Sequence, residues 1–142
     1  GIFTKLEDNM KWDFLVEKAM EAKKNAYVPY SGFHVGAAVL TPDGKIFTGC
    51  NVENASYGAS ICAERTAIIK AVSEGAASIS AIAITSDSDD LTFPCGICRQ
   101  VIAEFGTHDV QLICANKNGE YKEYGMNDIL PNAFNRDAMH NI

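Results

Sequence analysis

Along residues 11–24 the apolar side chains Trp12, Leu15, Val16, Ala19 and Ala22 recur at steps of three and four, with Glu17, Glu21, Lys23 and Lys24 between them. One apolar stripe at this period predicts an amphipathic helix from Lys11 to about Lys24, with Asn9 as its cap. Val28-Pro29-Tyr30-Ser31-Gly32-Phe33 breaks the stripe, because proline disfavours helix at the preceding residue and glycine loosens the backbone. Strand-like runs follow at Val35–Leu40 and Ile46–Val52, joined by Thr41-Pro42-Asp43-Gly44, which favours a tight hairpin. Helical spacing returns over Ile61–Ser73 through Ala63, Ala67, Ile68, Ala71 and Val72; Gly75 is its stop, and Cys62 falls in its first turn.

Ala81–Thr85 is a short apolar run fit for an interior strand, and the acidic loop Asp87-Ser88-Asp89-Asp90 follows it. After Pro94, residues Cys98–Phe105 carry Val101, Ile102 and Phe105 on one helical face, ended by Gly106. Val110–Ala115 and Tyr121–Tyr124 read as strands joined through Asn116-Lys117-Asn118-Gly119, and a short helix closes the pattern near Met126–Leu130. Strands alternating with helices in this order predict an α/β fold, a three-layer α/β/α sandwich around one sheet that mixes a hairpin with parallel crossovers. With 142 residues the chain fits a single domain, 1–142.

Charge narrows the partners. Twelve Lys and Arg against eighteen Asp and Glu leave a net charge of −6, the wrong sign for a surface that neutralises phosphates. No nucleic-acid partner is expected, and the densest basic pair, Lys23-Lys24, reads as a solvated face. No apolar run approaches the ~20 residues that cross a bilayer, and the amino terminus lacks a charged-then-apolar leader, so a soluble cytoplasmic protein without membrane contact is expected.

The chemistry concentrates in Cys62-Ala63-Glu64 and Pro94-Cys95-Gly96-Ile97-Cys98. Five cysteines are an odd number for a disulfide framework, and a thioredoxin-like dithiol pair has no use for Cys62-Ala63-Glu64. Cys50 and Cys114 lie in apolar runs and read as small buried core residues. His34, His108 and His140 have no partner at zinc-finger spacing, so no fourth ligand completes a structural site. Cys62, Cys95 and Cys98 therefore read as the three ligands of one catalytic Zn²⁺ whose fourth position is left to water. Glu64, two residues from a ligand, can reach that water without binding the metal. Helix amino termini favour thiolate over thiol, but three thiolates still leave the zinc site at a net charge of −1. Arg65 is placed in sequence to offset it.

These two motifs, together with Tyr30–Ala38, Asn51-Val52-Glu53-Asn54-Ala55-Ser56-Tyr57 and Leu130-Pro131-x-x-Phe134, resemble the zinc-dependent cytidine/deoxycytidylate deaminase family over about Tyr27–Phe134. The resemblance implies a five-stranded mixed sheet with helices on both faces. It implies hydrolysis of free cytidine and 2′-deoxycytidine to uridine, 2′-deoxyuridine and ammonia, in pyrimidine salvage. Glu64 is then the general acid and base, and Arg65 tunes the charge at zinc. Asn51 and Glu53, two apart at a strand end and so facing the same way, match the pair that binds the ribose 3′-hydroxyl. Phe33 matches the aromatic of the base pocket, and the Ala63 N–H the group that meets the pyrimidine O2. The resemblance further implies a homotetramer whose sites are completed by neighbouring subunits, with Phe134 stacking on the base and Ala55 and Tyr57 approaching the 5′-hydroxyl.

Three alternatives fit less of the chain. A deaminase of modified cytosine nucleosides, of the blasticidin type, does not match the Asn51–Tyr57 stretch. A nucleic-acid deaminase is opposed by the charge. A zinc-stabilised interaction module leaves Glu64 and the open fourth position without purpose. The polar segment Asn135–Ile142 has no assigned role.

Overall fold

Side chains alternate faces along a strand, so each sheet face can be read from every second residue. Ala38, Ala81, Ala83, Ile113 and Ala115 face one core, shared with Trp12, Leu15, Val16 and Ala19. Ala37, Val39, Ile79, Ile82, Ile84 and Leu112 face the other, shared with Ala63, Ala67, Ile68, Ala71, Ile102 and Ile129. A sheet with a separate core on each face is a three-layer arrangement, as the alternation of elements predicts.

The structure, a computed structural model, describes residues 10–134. Its elements are α1 (Asp13–Lys23), β1 (Val35–Leu40), β2 (Ile46–Cys50), α2 (Ala63–Ser73), β3 (Ile79–Ser86), α3 (Gly96–Phe105), β4 (Gly106–Ala115), β5 (Tyr121–Gly125) and α4 (Met126–Ile129), with a 3₁₀ turn at Tyr57–Ala59. The five-stranded sheet runs β2-β1-β3-β4-β5. Only β3 and β4 are parallel, and α3 makes the crossover between them.

Small residues set how closely the helices lie. On the α1 side four alanines face the helix, and a Cβ on Gly36 would stand 2.0 Å from the Ala19 carbonyl oxygen. On the opposite side, a Cβ on Gly49 would stand 2.5 Å from the Ala67 nitrogen and 2.7 Å from the Ala63 oxygen. Gly49 thus lets the first turns of α2, which carry Ala63 and Glu64, rest on β2. The large side chains Ile68, Ile82, Ile84 and Leu112 fill the rest of that layer, each fully buried and each contributing roughly 2 kcal/mol.

Several boundaries differ from the sequence reading. Helix α1 begins at Asp13 with Trp12 as N-cap, and the cap expected at Asn9 lies outside the described residues. β2 ends at Cys50, because Val52 leaves the sheet to bridge Tyr27 and Ile61. α2 starts at Ala63, so Cys62 is the N-cap and not part of the first turn. α3 starts at Gly96 and not at Cys98. β3 extends beyond Ala81–Thr85 at both ends, and β4 starts at Gly106, whose pairing with Ile79 continues the strand through exposed residues that carry no apolar signal. Cys50 is half-buried and not a core residue, whereas Cys114 is fully buried. Lys23 is not on a solvated face: its Nζ donates to Ser86 O at 3.1 Å and lies 3.6 Å from Asp87 Oδ1.

Candidate functional site

Three backbone segments meet at Val52. Its N–H and C=O exchange 2.9 Å hydrogen bonds with Ile61, while Tyr27 N–H donates to Asn51 O at 3.0 Å and Glu53 N–H to Tyr27 O at 2.8 Å. This joins the segment before the Tyr30–Phe33 loop, the Asn51–Glu53 segment and the residue before Cys62. The second cysteine pair arrives from β3. Ser86 and Thr92 hydroxyls meet at 2.6 Å and Thr92 N–H donates to Ala115 O at 3.0 Å, which fixes the loop that leads to Cys95. Arg99 then ties that loop to the last residue of α4, its Nε donating to Pro94 O at 2.8 Å and its Nη1 to Ile129 O at 2.7 Å.

Cys62 and Cys95 are the N-caps of α2 and α3, and Cys98 lies in the first turn of α3. Their sulfurs all lie within 4.8 Å of one another, Cys62 Sγ and Cys95 Sγ at 3.7 Å. Tetrahedral zinc with bonds of about 2.3 Å to sulfur sets its ligands about 3.8 Å apart, so the triangle fits that ion. A second observation agrees. Arg65 Nη2 donates to Ser60 O at 3.2 Å, but its Nε is shielded from solvent with no hydrogen-bond partner among the described residues. Burial opposes the guanidinium charge, yet the Cys62 and Cys98 sulfurs raise its pKa overall. A shielded cationic donor beside the sulfurs suits a thiolate set that carries surplus negative charge.

Glu64 is 4% exposed, and burial raises its pKa while a hydrogen bond with Cys98 opposes that shift. Among the sulfurs themselves, the hydrogen bond from Cys98 pulls Cys62 down to about 5 and pushes Cys98 up. Cys114, on β4, is pushed up to about 12 by burial and stays a neutral thiol.

Residues 10–114 match the family model for the cytidine and deoxycytidylate deaminase zinc-binding region. The chain belongs to the cytidine and deoxycytidylate deaminase family. This deaminase is 45% identical over 131 residues to the cytidine deaminase of Halalkalibacterium halodurans, covering 92% of this chain and 99% of that protein. Its fold superposes on the crystal structure of cytidine deaminase from Burkholderia pseudomallei with a TM-score of 0.82 at 46% identity, covering 85% of this chain and 97% of the other. The Mycobacterium tuberculosis enzyme gives 0.75 at 41% identity, covering 87% and 96%. The family's cofactor is zinc, and Cys62, Cys95 and Cys98 are the set that can hold it.

The deaminase gathers most, but not all, of the residues singled out from sequence. Asn51 Oδ1 accepts from Val35 N–H and its Nδ2 donates to Phe33 O, both at 2.9 Å. Glu53 accepts from the Tyr30 and Ser31 amides at 3.1 Å each and from the Ser31 hydroxyl. Ala63 is the first residue of α2, where amides lack an intrahelical acceptor. Ala55 and Tyr57 stand apart in an exposed loop, Tyr57 at 81% exposure. Phe134 is 60% exposed and is tethered through its carbonyl to Gln100 Nε2. Ser31, Arg99 and Gln100 were missed as site-building residues. Ser31-Gly32-Phe33 has the composition of a hydroxyl-closed turn, the one local signal available; nothing around Arg99 points to Ile129.

Proposed function

We propose that this chain, acting as one domain, is a cytidine deaminase that hydrolyses free cytidine and 2′-deoxycytidine to uridine and 2′-deoxyuridine with release of ammonia, in cytoplasmic pyrimidine salvage. The observation that carries the reading is a zinc-sized sulfur triangle with one buried carboxylate, Glu64, beside it that is not needed as a ligand. The names of its relatives support cytidine as substrate, and five free cysteines suit a reducing compartment.

Zinc held by Cys62, Cys95 and Cys98 supplies Lewis acidity that makes water a nucleophile near neutral pH. Glu64 accepts a proton from the attacking water and delivers it to N3 of cytosine, then takes the proton of the new hydroxyl on C4 and passes it to the amine that leaves as ammonia. Burial suits it to this, since a carboxylate with a raised pKa takes and returns protons near neutrality more readily than an exposed one. Arg65 balances the charge of the sulfurs. The Ala63 N–H meets the pyrimidine O2, Phe33 borders the base, and Asn51 with Glu53 holds the 3′-hydroxyl. In a homotetramer the exposed Phe134, Ala55 and Tyr57 reach a neighbour's substrate, the first stacking on the base and the others near the 5′-hydroxyl.

The test is the ultraviolet absorbance of cytidine mixed with the purified protein, before and after chelation, with ammonia measured in parallel. Conversion to uridine that stops on zinc removal and returns with zinc is expected. Bound zinc without turnover of cytidine or deoxycytidine would overturn the substrate assignment.

A further inference from the structure

Ser31 touches no metal ligand, yet its side chain connects two groups assigned to the substrate. Its hydroxyl donates to Glu53 Oε2 and accepts from the Phe33 amide at 3.0 Å. Gly32, at φ +68°, makes the turn that lets both contacts form. We infer that Ser31 is a positioning residue for sugar recognition, one hydroxyl holding the Glu53 carboxylate and the Phe33 backbone in a register that selects a free secondary hydroxyl. The inference rests on the deaminase reading of the site.

The donors and acceptors can be counted. A carboxylate accepts in about four directions. On Glu53, Oε1 is filled by the Tyr30 and Ser31 amides and Oε2 takes the Ser31 hydroxyl, which leaves one direction on Oε2. Asn51 spends one of its oxygen's two lone pairs on Val35 N–H and one amide hydrogen on Phe33 O, which leaves one lone pair and one N–H. The pair therefore presents one donor, on Asn51, and two acceptor directions, one on each residue. A secondary hydroxyl, which both donates and accepts, gives its hydrogen to Glu53 and accepts the Asn51 N–H; a hydrogen in its place does neither. A phosphorylated or esterified oxygen has no hydrogen for Glu53 and, when anionic, faces a carboxylate whose pKa the Ser31 hydroxyl already lowers. Remove the Ser31 hydroxyl and Oε2 gains a second open direction, the carboxylate pivots about Oε1, and the Phe33 amide loses its acceptor.

Steady-state kinetics on cytidine and 3′-deoxycytidine test this with the zinc-loaded wild type, Ser31→Ala and Ser31→Thr. The wild type is expected to prefer cytidine by at least ~100-fold in kcat/KM, because a site built around a hydroxyl rejects the analogue that lacks it. Ser31→Ala should raise the KM for cytidine and cut that preference about tenfold, with kcat and zinc content nearly unchanged. Ser31→Thr should restore both. An Ala variant with higher KM but the wild-type preference reveals general loop damage and overturns the inference, as does failure of Thr to restore the preference. A wild type that turns over cytidine without any preference overturns the Asn51 and Glu53 assignment and this inference with it. A zinc-loaded wild type inert toward cytidine is a separate failure, of the proposed function itself.

Discussion

Glu64 and Glu53 are the two carboxylates of the proposed site, and their surroundings shift them in opposite directions. Glu64 is enclosed where α2 meets α3, and desolvation raises its pKa. Glu53 is only half-buried, and the Ser31 hydroxyl and two amides lower its own. A group that must gain and lose a proton gains from burial, whereas a group that must only accept hydrogen bonds gains from donors that keep it ionised. The same contrast runs through the elements that carry them. The sulfurs and Glu64 sit at helix ends fixed by packing, while Phe33, Asn51 and Glu53 belong to loops fixed by hydrogen bonds.

Breaking the packed half should have the largest effect. Cys98→Ala removes a ligand at the buried start of α3; zinc content should fall to near zero and turnover by at least ~10³-fold, measured by metal analysis and uridine formation on one preparation. Next is Gly49→Ala. The added methyl meets backbone atoms of α2, so the helix must shift; about 2 kcal/mol of stability should be lost, and kcat should fall because Glu64 moves with the helix. Urea denaturation and kcat together check this.

The hydrogen-bonded half should respond in KM. Glu53→Gln keeps the shape but replaces an acceptor with a donor, so KM for cytidine should rise roughly 10-fold or more while kcat changes little. Phe134→Ala should raise KM about tenfold through lost stacking, and activity should decline on dilution as subunits separate; full activity of a monomer at high dilution would rule out the shared site.

The smallest effect lies farther out, at Asp87, which accepts from the His34 amide at 2.8 Å and pairs with His34 Nδ1 at 2.7 Å and Lys23. Burial opposes its ionisation, but the His34 amide and the neighbouring charges lower its pKa overall. Its ionised form is therefore favoured in the folded state. The gain is present above the unfolded carboxylate range near pH 4 and is lost as pH falls below it. Asp87→Asn should cost ~0.5 kcal/mol at pH 7, and the gap to wild type should close below pH 4 in pH-dependent thermal melts.

The same division explains what could be read from the chain. Strands β1 and β3 and helices α1 and α2 declare themselves by apolar period, and the three ligands by spacing, because these signals lie within a few residues. Ser31 to Glu53, Arg99 to Ile129 and Lys23 to Ser86 do not, since each pairs with a residue far along the chain that only the fold brings near. The start of β4 was missed for a related reason: Gly106 is held by backbone pairing to Ile79, which leaves no mark on side-chain pattern.

The account depends most on Glu64 acting as the proton carrier beside a zinc site that it does not help to hold. Glu64→Gln preserves shape and removes the proton chemistry, so zinc per chain and cytidine turnover should be measured on the same sample. One zinc per chain with turnover lowered roughly 10²- to 10⁴-fold is the expected result. Turnover near wild type, or zinc lost along with activity, would contradict it.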